Sequence, residues 1–456
     1  MQKSGKGYRF DQNGWIYLHI EGDAFERGFQ HGYLLAKELE TIRQSLRYLT
    51  LFNTGKTWGF FVEAAAQLFT KEFPSAKYPA KELLNEIRGI ANGAQTAGVD
   101  ITWQEILAWN GYEELTDYWW PNEKARLKYA PSMPAQHDHC SAFMAHGEAT
   151  VDHKIVMAHN SWSNFETGQF SNLILDIVPS EGHRIFMQSA PGFVDSFADF
   201  FVTDAGIMGT ETTMGGFSLY KSDEMAEFFR VRLAMQYAES LEEFVNLMKK
   251  HNNGGYANSW LLGNTKTGDI MRFELGLEFW NVEMNPEQGF FIGFNAPTDP
   301  RIRNLECSNT GFADIRRHQG ARQVRLGDLM KKHYGKITAD VGKEIIADHY
   351  DVYLQKDDNP CSRTVDGHYE LDDRAYMSQP GRPLPYQPRG AVDGKVCDSI
   401  MAESLSFLAR WGNSSGLEFK AELFLNEHPQ WSYLDGYLYD RPSKPWTMFE
   451  AGQKGD

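Results

Sequence analysis

Apolar residues in the first third of the chain recur at helical spacing. Phe25, Phe29, Leu34, Leu35, Leu39, Ile42 and Leu46 share one face of a predicted helix, and Asp23-Ala24-Phe25-Glu26 ahead of them has capping-box form. Further helices are predicted over residues 58–73 and 80–97, the second with Leu83, Leu84, Ile87, Ile90 and Ala94 on one side. Thr102-Trp103-Gln104-Glu105 opens a fourth. Residues 121–134 hold three prolines and no period, the pattern of an exposed connector. From residue 140 onward the pattern changes to short strand-like runs at 141–146, 154–159, 173–178, 184–188, 200–203, 259–263, 270–274 and 290–294. Helical pairs interrupt them at 224–240 with 241–251 and at 314–334 with 338–349, and residues 357–389 form a proline-rich loop. Strands, paired helices and strands again imply helices layered on largely antiparallel sheets, an α+β chain. The expected division is a helical segment over residues 1–139 and a sheet-based core over 140–456.

Composition narrows the function classes. With 42% hydrophobic residues in 456, the chain can bury a large core. A net charge of −16 argues against nucleic acid or an anionic membrane surface as the main partner. No run approaches 18 apolar residues, so no transmembrane helix is expected. Residues 1–10 are polar and basic and are not a signal peptide as written; a trimmed leader would leave the same sequence, so the compartment stays open. A homo-oligomer is compatible with these features. The four cysteines, Cys140, Cys307, Cys361 and Cys397, form no CxxC pair, so neither a zinc ribbon nor a dithiol redox motif is indicated, while one disulfide remains open.

The residue that changes the picture most is Cys140, in His137-Asp138-His139-Cys140-Ser141-Ala142-Phe143, where polar sequence gives way to a strand. A cysteine at a loop-to-strand entry is placed to act as a nucleophile at a sheet edge. Scission before it would free an α-amine with a pKa of roughly 7.7–8.0, able to take the thiol proton. The competing reading is a buried structural cysteine. His159 and Asn160, at the end of the next strand, can orient the thiol or donate to an oxyanion; they also fit a turn. Asn258, after Gly254-Gly255, is a candidate oxyanion amide or part of a glycine-led turn. Glu211 and Thr212 lie in a polar cluster that either lines a pocket or satisfies a loop, and Trp162 and Trp260 are candidates for an acyl pocket or for the core. His137, His139 and His153 could instead ligate a metal, although their spacing matches no standard site; no metal and no cofactor is the expectation.

Taken in order, Glu26-Arg27-Gly28-Phe29-Gln30-His31-Gly32, Cys140-Ser141-Ala142, His159-Asn160-Ser161-Trp162, Glu211-Thr212-Thr213, Tyr256-Ala257-Asn258-Ser259-Trp260 and Gly390-Ala391-Val392-Asp393-Gly394-Lys395-Val396 resemble the phospholipase B-like proteins and the related penicillin acyltransferase-type peptidases, within the N-terminal nucleophile hydrolases. The resemblance implies a four-layer αββα sandwich, autocatalytic cutting between His139 and Cys140, and hydrolysis or transfer of an acyl group from a small amide or ester. By position it makes Cys140 the nucleophile, His159 and Asn160 the segment after the first hairpin, Asn258 the oxyanion amide, and Arg316 or, preferably, Arg317 the family arginine. Bile-salt-hydrolase relatives carry Arg-Asn-x-Asp where this chain has His-Asn-Ser-Trp, so the ion pair that would support a thiolate must come from elsewhere. Two other functions fit the same sequence: an inactive binding protein on this fold, and a metallohydrolase using His137, His139 and His153.

Overall fold

The computed structural model describes residues 1–127, 140–197, 199–373 and 384–455. Two sheets dominate it. The first holds strands β1 (Gln2–Ser4), β2 (Gly7–Gln12), β3 (Trp15–Gly22), β6 (Leu173–Pro179), β7 (Ile185–Ser189), β8 (Phe200–Thr203), β9 (Ile207–Thr213), β10 (Asn258–Asn264), β11 (Ile270–Leu275) and β12 (Trp280–Met284), adjacent in that order. The second runs β13 (Phe290–Gly293), β4 (Ser141–Gly147), β5 (His153–Asn164), β14 (Arg389–Asp398), β15 (Ser406–Trp411) and β16 (Thr447–Glu450). Pairing is antiparallel except where β3 meets β6. The chain is thus a mixed α+β protein with two large sheets, as its strand runs predict.

Core residues show how the sheets pack. Tyr17, Phe186, Phe200 and Leu261 of the first sheet share one apolar cluster with Ala142, Met144, Met157 and Phe407 of the second. The outer face of the first sheet packs Leu175, Phe201 and Leu262 under α8 (Glu227–Tyr237) and α9 (Leu241–Lys249). The outer face of the second packs Phe143, Val156 and Ala158 under α10 (His318–Lys332) and α11 (Ala339–Ile346). Period-two alternation produces this division: neighbours on a strand point to opposite sides, so Ala142 enters the inter-sheet core and Phe143 the helix-covered face.

The segment ahead of Cys140 contains the helices its periodicity predicts, α1 (Ala24–Leu34), α2 (Ala36–Thr54), α3 (Trp58–Leu68), α4 (Lys81–Thr96) and α5 (Trp103–Asn110). Asp23 and Glu26 close the predicted capping box, and Thr102 with Glu105 closes another. Two features differ from the sequence reading. Residues 2–22 are strands of the first sheet, because β3 lies along β6 and buries Trp15 through Ile20. Residues 120–126 are helix α6 rather than connector, running on directly from the π-helical stretch Glu114–Trp119; the next helix, α7, is the single turn Phe165–Gly168. Residues 128–134 lie outside the described set.

Helices α1 and α4 cross backbone to backbone. A Cβ on Gly28 would lie 1.9 Å from the Glu86 carbonyl oxygen, and one on Gly93 would lie 2.1 Å from that of Phe29, so only glycine fits this crossing. Beside it Glu86 receives Arg27 (2.7 Å) and Arg232 (3.2 Å), all three buried, which ties α1 and α4 to α8. The His31 imidazole accepts the Gly192 N–H at 2.8 Å. The N-terminal helices also share their main apolar cluster with Phe193, Val194, Phe228 and Leu233. No helix among the described residues is long and apolar enough to cross a membrane.

Candidate active site

Cys140 immediately precedes β4, and its buried thiol lies among polar side chains of both sheets. Its φ of +89° is in the left-handed region, which costs a residue with a Cβ of the order of 1–3 kcal/mol. Its Sγ lies 3.8 Å from Glu211 Oε1. Its carbonyl accepts from Arg322 Nη1 at 2.5 Å, and the same nitrogen donates to Ser141 Oγ at 3.0 Å. Burial, the Glu211 charge and weaker opposing contributions from the Trp162 backbone N–H and Lys395 leave the thiol pKa well above its usual range. In the intact chain it is therefore a protonated thiol.

β5 supplies the next contributor. The sequence reading ends this strand near His159, but pairing with both β4 and β14 carries it to Asn164, so His159-Asn160-Ser161 is strand and not turn. His159 stands opposite Ala142 on one side and Lys395 on the other. One of its ring nitrogens, the Cys140 sulfur and a Glu211 carboxylate oxygen lie within 4.8 Å of one another. Burial and the nearby Lys395 ammonium hold the imidazole pKa well below normal, so it is neutral. Both ring nitrogens lack a hydrogen-bond partner among the described residues. Thiol, imidazole and carboxyl form an acid-base triangle, and the same three groups are also a set able to hold a metal.

Lys395 and Asp393 are the residues sequence reasoning missed. Lys395 is fully buried on β14; its ammonium reaches Asp393 Oδ1 at 2.5 Å and also donates to Ser161 Oγ and Gln188 Oε1. Gln188 donates to the other Asp393 oxygen at 2.6 Å. This is a buried ion pair whose ammonium acts electrostatically on the Cys140 thiol. The local sequence shows only the Asp-x-Lys spacing in a strand-like run; what the two side chains meet is set by β14 lying against β5.

The remaining candidates divide. Asn258 opens β10 opposite Thr213, is buried, and has neither amide atom hydrogen-bonded among the described residues. Nearby, the Tyr256 hydroxyl donates to Glu211 Oε1 at 3.4 Å. Thr212 points across the gap between the sheets, where its methyl and hydroxyl would meet a Cβ on Gly293. Asn160 points to the opposite face from His159; its amide donates to Ile346 O (2.6 Å) and Val365 O (3.2 Å) and accepts from Ser414. The Trp162 ring lies on that face too, 3.9 Å from the Arg322 guanidinium, so Trp162 reaches the thiol through its backbone N–H. Trp260 packs edge-on to Phe244 under α9. Arg317 precedes α10 and holds Asn309, while Arg322, a little more than one turn further, is the arginine that reaches Cys140. His137 and His139 lie outside the described residues. His153 is exposed at the hairpin turn, six strand positions from the Cys140 end, roughly 20 Å at 3.3 Å per residue.

The phospholipase B family model matches residues 10–274. The chain belongs to that family. It is 29% identical over 266 residues to an uncharacterized protein of Archaeoglobus fulgidus, covering 56% of this chain and 42% of that one. It is 25% identical over 335 residues to phospholipase B of Crotalus adamanteus, covering 66% and 57%. It is 22% identical over 470 residues to human phospholipase B-like 1, covering 90% and 81%. The chain spans about half the length of the first two relatives. The matched segment of this phospholipase B family member holds Cys140, His159, Glu211 and Asn258, while Arg322, Asp393 and Lys395 fall beyond it.

Several buried carboxyls surround the triangle, and burial outweighs the pull of Lys395 on Asp199, Arg232 on Asp195 and Arg230 on Glu114. Burial first, then the charges of Glu227 for Glu211 and of Glu211 for Asp199, push both acids well above the usual carboxylate range. Burial raises Asp195 to about 8 and Glu114 to about 7. Asp195, Glu113, Glu227 and Tyr256 border a cavity of about 30 Å³, space for about one water. Glu113 also borders a larger cavity of about 380 Å³, whose walls include Tyr112, Ser163, Glu166 and Trp431.

Proposed function

We propose that the chain is a cysteine N-terminal nucleophile hydrolase on a four-layer αββα fold, cleaving an acyl ester or amide. The observation that carries this reading is Cys140: a strained, strand-leading cysteine whose buried thiol meets a neutral imidazole and a carboxyl. In the processing step the Cys140 thiol attacks the carbonyl carbon of residue 139. The carbon–nitrogen bond breaks, a thioester forms and the Cys140 nitrogen leaves as a free amine. Water then hydrolyses the thioester, giving a carboxylate at residue 139 and returning the thiol. Relief of the left-handed conformation favours this cut.

In turnover the new α-amine accepts the thiol proton as sulfur attacks the substrate carbonyl. The Asn258 amide and the Trp162 N–H are the donors for the developing oxyanion. The α-ammonium returns its proton to the leaving oxygen or nitrogen, and water releases the acid from the thioester. Lys395, paired with Asp393, favours the anionic sulfur; Arg322 fixes the Cys140 carbonyl and so the direction of the amine. The rattlesnake relative's name makes phospholipid acyl esters the first substrates to assay, with N-acyl amides beside them.

A thiol-reactive acyl probe tests the reading. Cys140 in processed protein should label faster than Cys307, Cys361 and Cys397, and Cys140→Ala should lose both processing and turnover. An uncut chain with no preferential labelling would instead support the inactive binding protein.

A further inference from the structure

A second cluster stands on the far side of the second sheet. His349 and His368 point their Nε2 atoms at each other, 3.1 Å apart. Asp366 Oδ2 lies 3.4 Å from the first and 3.5 Å from the second. Three atoms bound to one ion at roughly 2.0–2.1 Å in a tetrahedron are separated by about 3.3 Å. The three observed edges match that triangle. Asp366 and His368 are buried, and the His349 side chain keeps 9% of its exposure, which leaves one side open to a water.

The outer contacts point the same way. His368 Nδ1 faces Glu370 Oε1 at 2.9 Å, and His349 Nδ1 faces Asp358 Oδ1 at 3.3 Å. When each ring is neutral, a carboxylate at its Nδ1 holds the proton there and leaves Nε2 with a lone pair, the tautomer of an imidazole that ligates metal. Two nitrogen lone pairs and a carboxylate oxygen then converge on one point. Asp366 Oδ2 also accepts the Ser415 N–H at 2.9 Å, and Asp366 Oδ1 has no hydrogen bond among the described residues.

We propose that His349, Asp366 and His368 bind one zinc-class divalent transition-metal ion, with water as fourth ligand. Two imidazoles and one carboxylate favour such an ion over calcium or magnesium. The ion clasps the ends of the loop over residues 347–368 and holds it on β14, where Ala391 N–H donates to Gly367 O at 2.9 Å. In the same loop, the Val365 carbonyl accepts from Ser141 Oγ (2.9 Å) and Asn160 Nδ2 (3.2 Å). The site therefore braces the strand that carries Cys140 from behind. It is a positioning site, separate from the acyl chemistry and independent of its assignment.

Metal analysis of the full chain purified without chelator, followed by zinc titration of dialysed protein, tests the proposal. About one equivalent per chain is expected. Asp366→Asn and His368→Gln should each lose it, or weaken it at least 100-fold, and Cys140→Ala should keep it. Glu370→Gln, which leaves the three ligands in place, should weaken binding about 10-fold. Cobalt in place of zinc should give visible d–d bands that disappear in His368→Gln, a readout that needs no substrate. Folded wild-type protein that takes up no zinc would overturn the proposal and leave a hydrogen-bonded histidine pair. Uptake retained by His368→Gln and lost by Cys140→Ala would overturn it in favour of the thiol triangle.

Discussion

Two buried charged regions of this protein are built on opposite rules. At the α1–α4 crossing, Glu86 is buried between Arg27 and Arg232; burial opposes its ionisation, but the two guanidiniums prevail and hold its pKa below normal. Around Cys140, Glu211, Asp199 and Asp195 are equally buried; there burial prevails over the cations within reach, neighbouring carboxyls add to it, and their pKa values rise. The first region is compensated and joins the N-terminal helices to the core. The second gives up charge compensation and keeps groups ready to exchange protons. Charge pairing thus separates scaffold from site more sharply than burial does.

Substitution at the two regions should separate stability from function. Glu86→Ala leaves two guanidiniums buried without their carboxylate and should cost about 3–5 kcal/mol in denaturant unfolding. Glu211→Gln, by contrast, should change stability by less than about 1 kcal/mol, because its carboxyl is already held protonated, while slowing acyl labelling of Cys140. Equal destabilisation by the two would erase the distinction. Next in size, Asn258→Ala should lower kcat about 10²–10³-fold with little change in unfolding midpoint, as expected for an oxyanion donor. An effect that is smaller per step, though spread over several pH units, appears with pH. Asp195 is raised from 3.8 to about 8, so the folded state binds its proton more tightly than the unfolded chain. The stability this provides is complete below about pH 4 and is lost as pH rises to about 8, at no more than about 1.4 kcal/mol per pH unit. Asp195→Asn should flatten that part of a Tm-against-pH curve; an unchanged slope would show that Asp195 does not titrate there.

The helices and most strands were legible because their apolar faces repeat: the paired helices at 224–251 and 314–349 became α8, α9, α10 and α11. The strands at 2–22 were not, since β3 is buried along nearly its whole length and shows little alternation. In the site, the position of Cys140 was legible from its place at a strand entry. Asn160 adjoins His159 in sequence, but neighbours on a strand point to opposite faces, so only one of them can face the space between the sheets. Lys395 and Asp393 were hidden differently: their chemistry arises from β14 pairing with β5, a contact more than 200 residues apart in sequence that no local pattern records. The same holds for His349 and His368, which a loop brings together.

Intact mass under denaturing conditions tests the central claim most directly. An active preparation should separate into two chains, residues 1–139 and 140–456, and Cys140→Ala should remain one. Full turnover by a preparation whose 139–140 bond is whole would contradict the account.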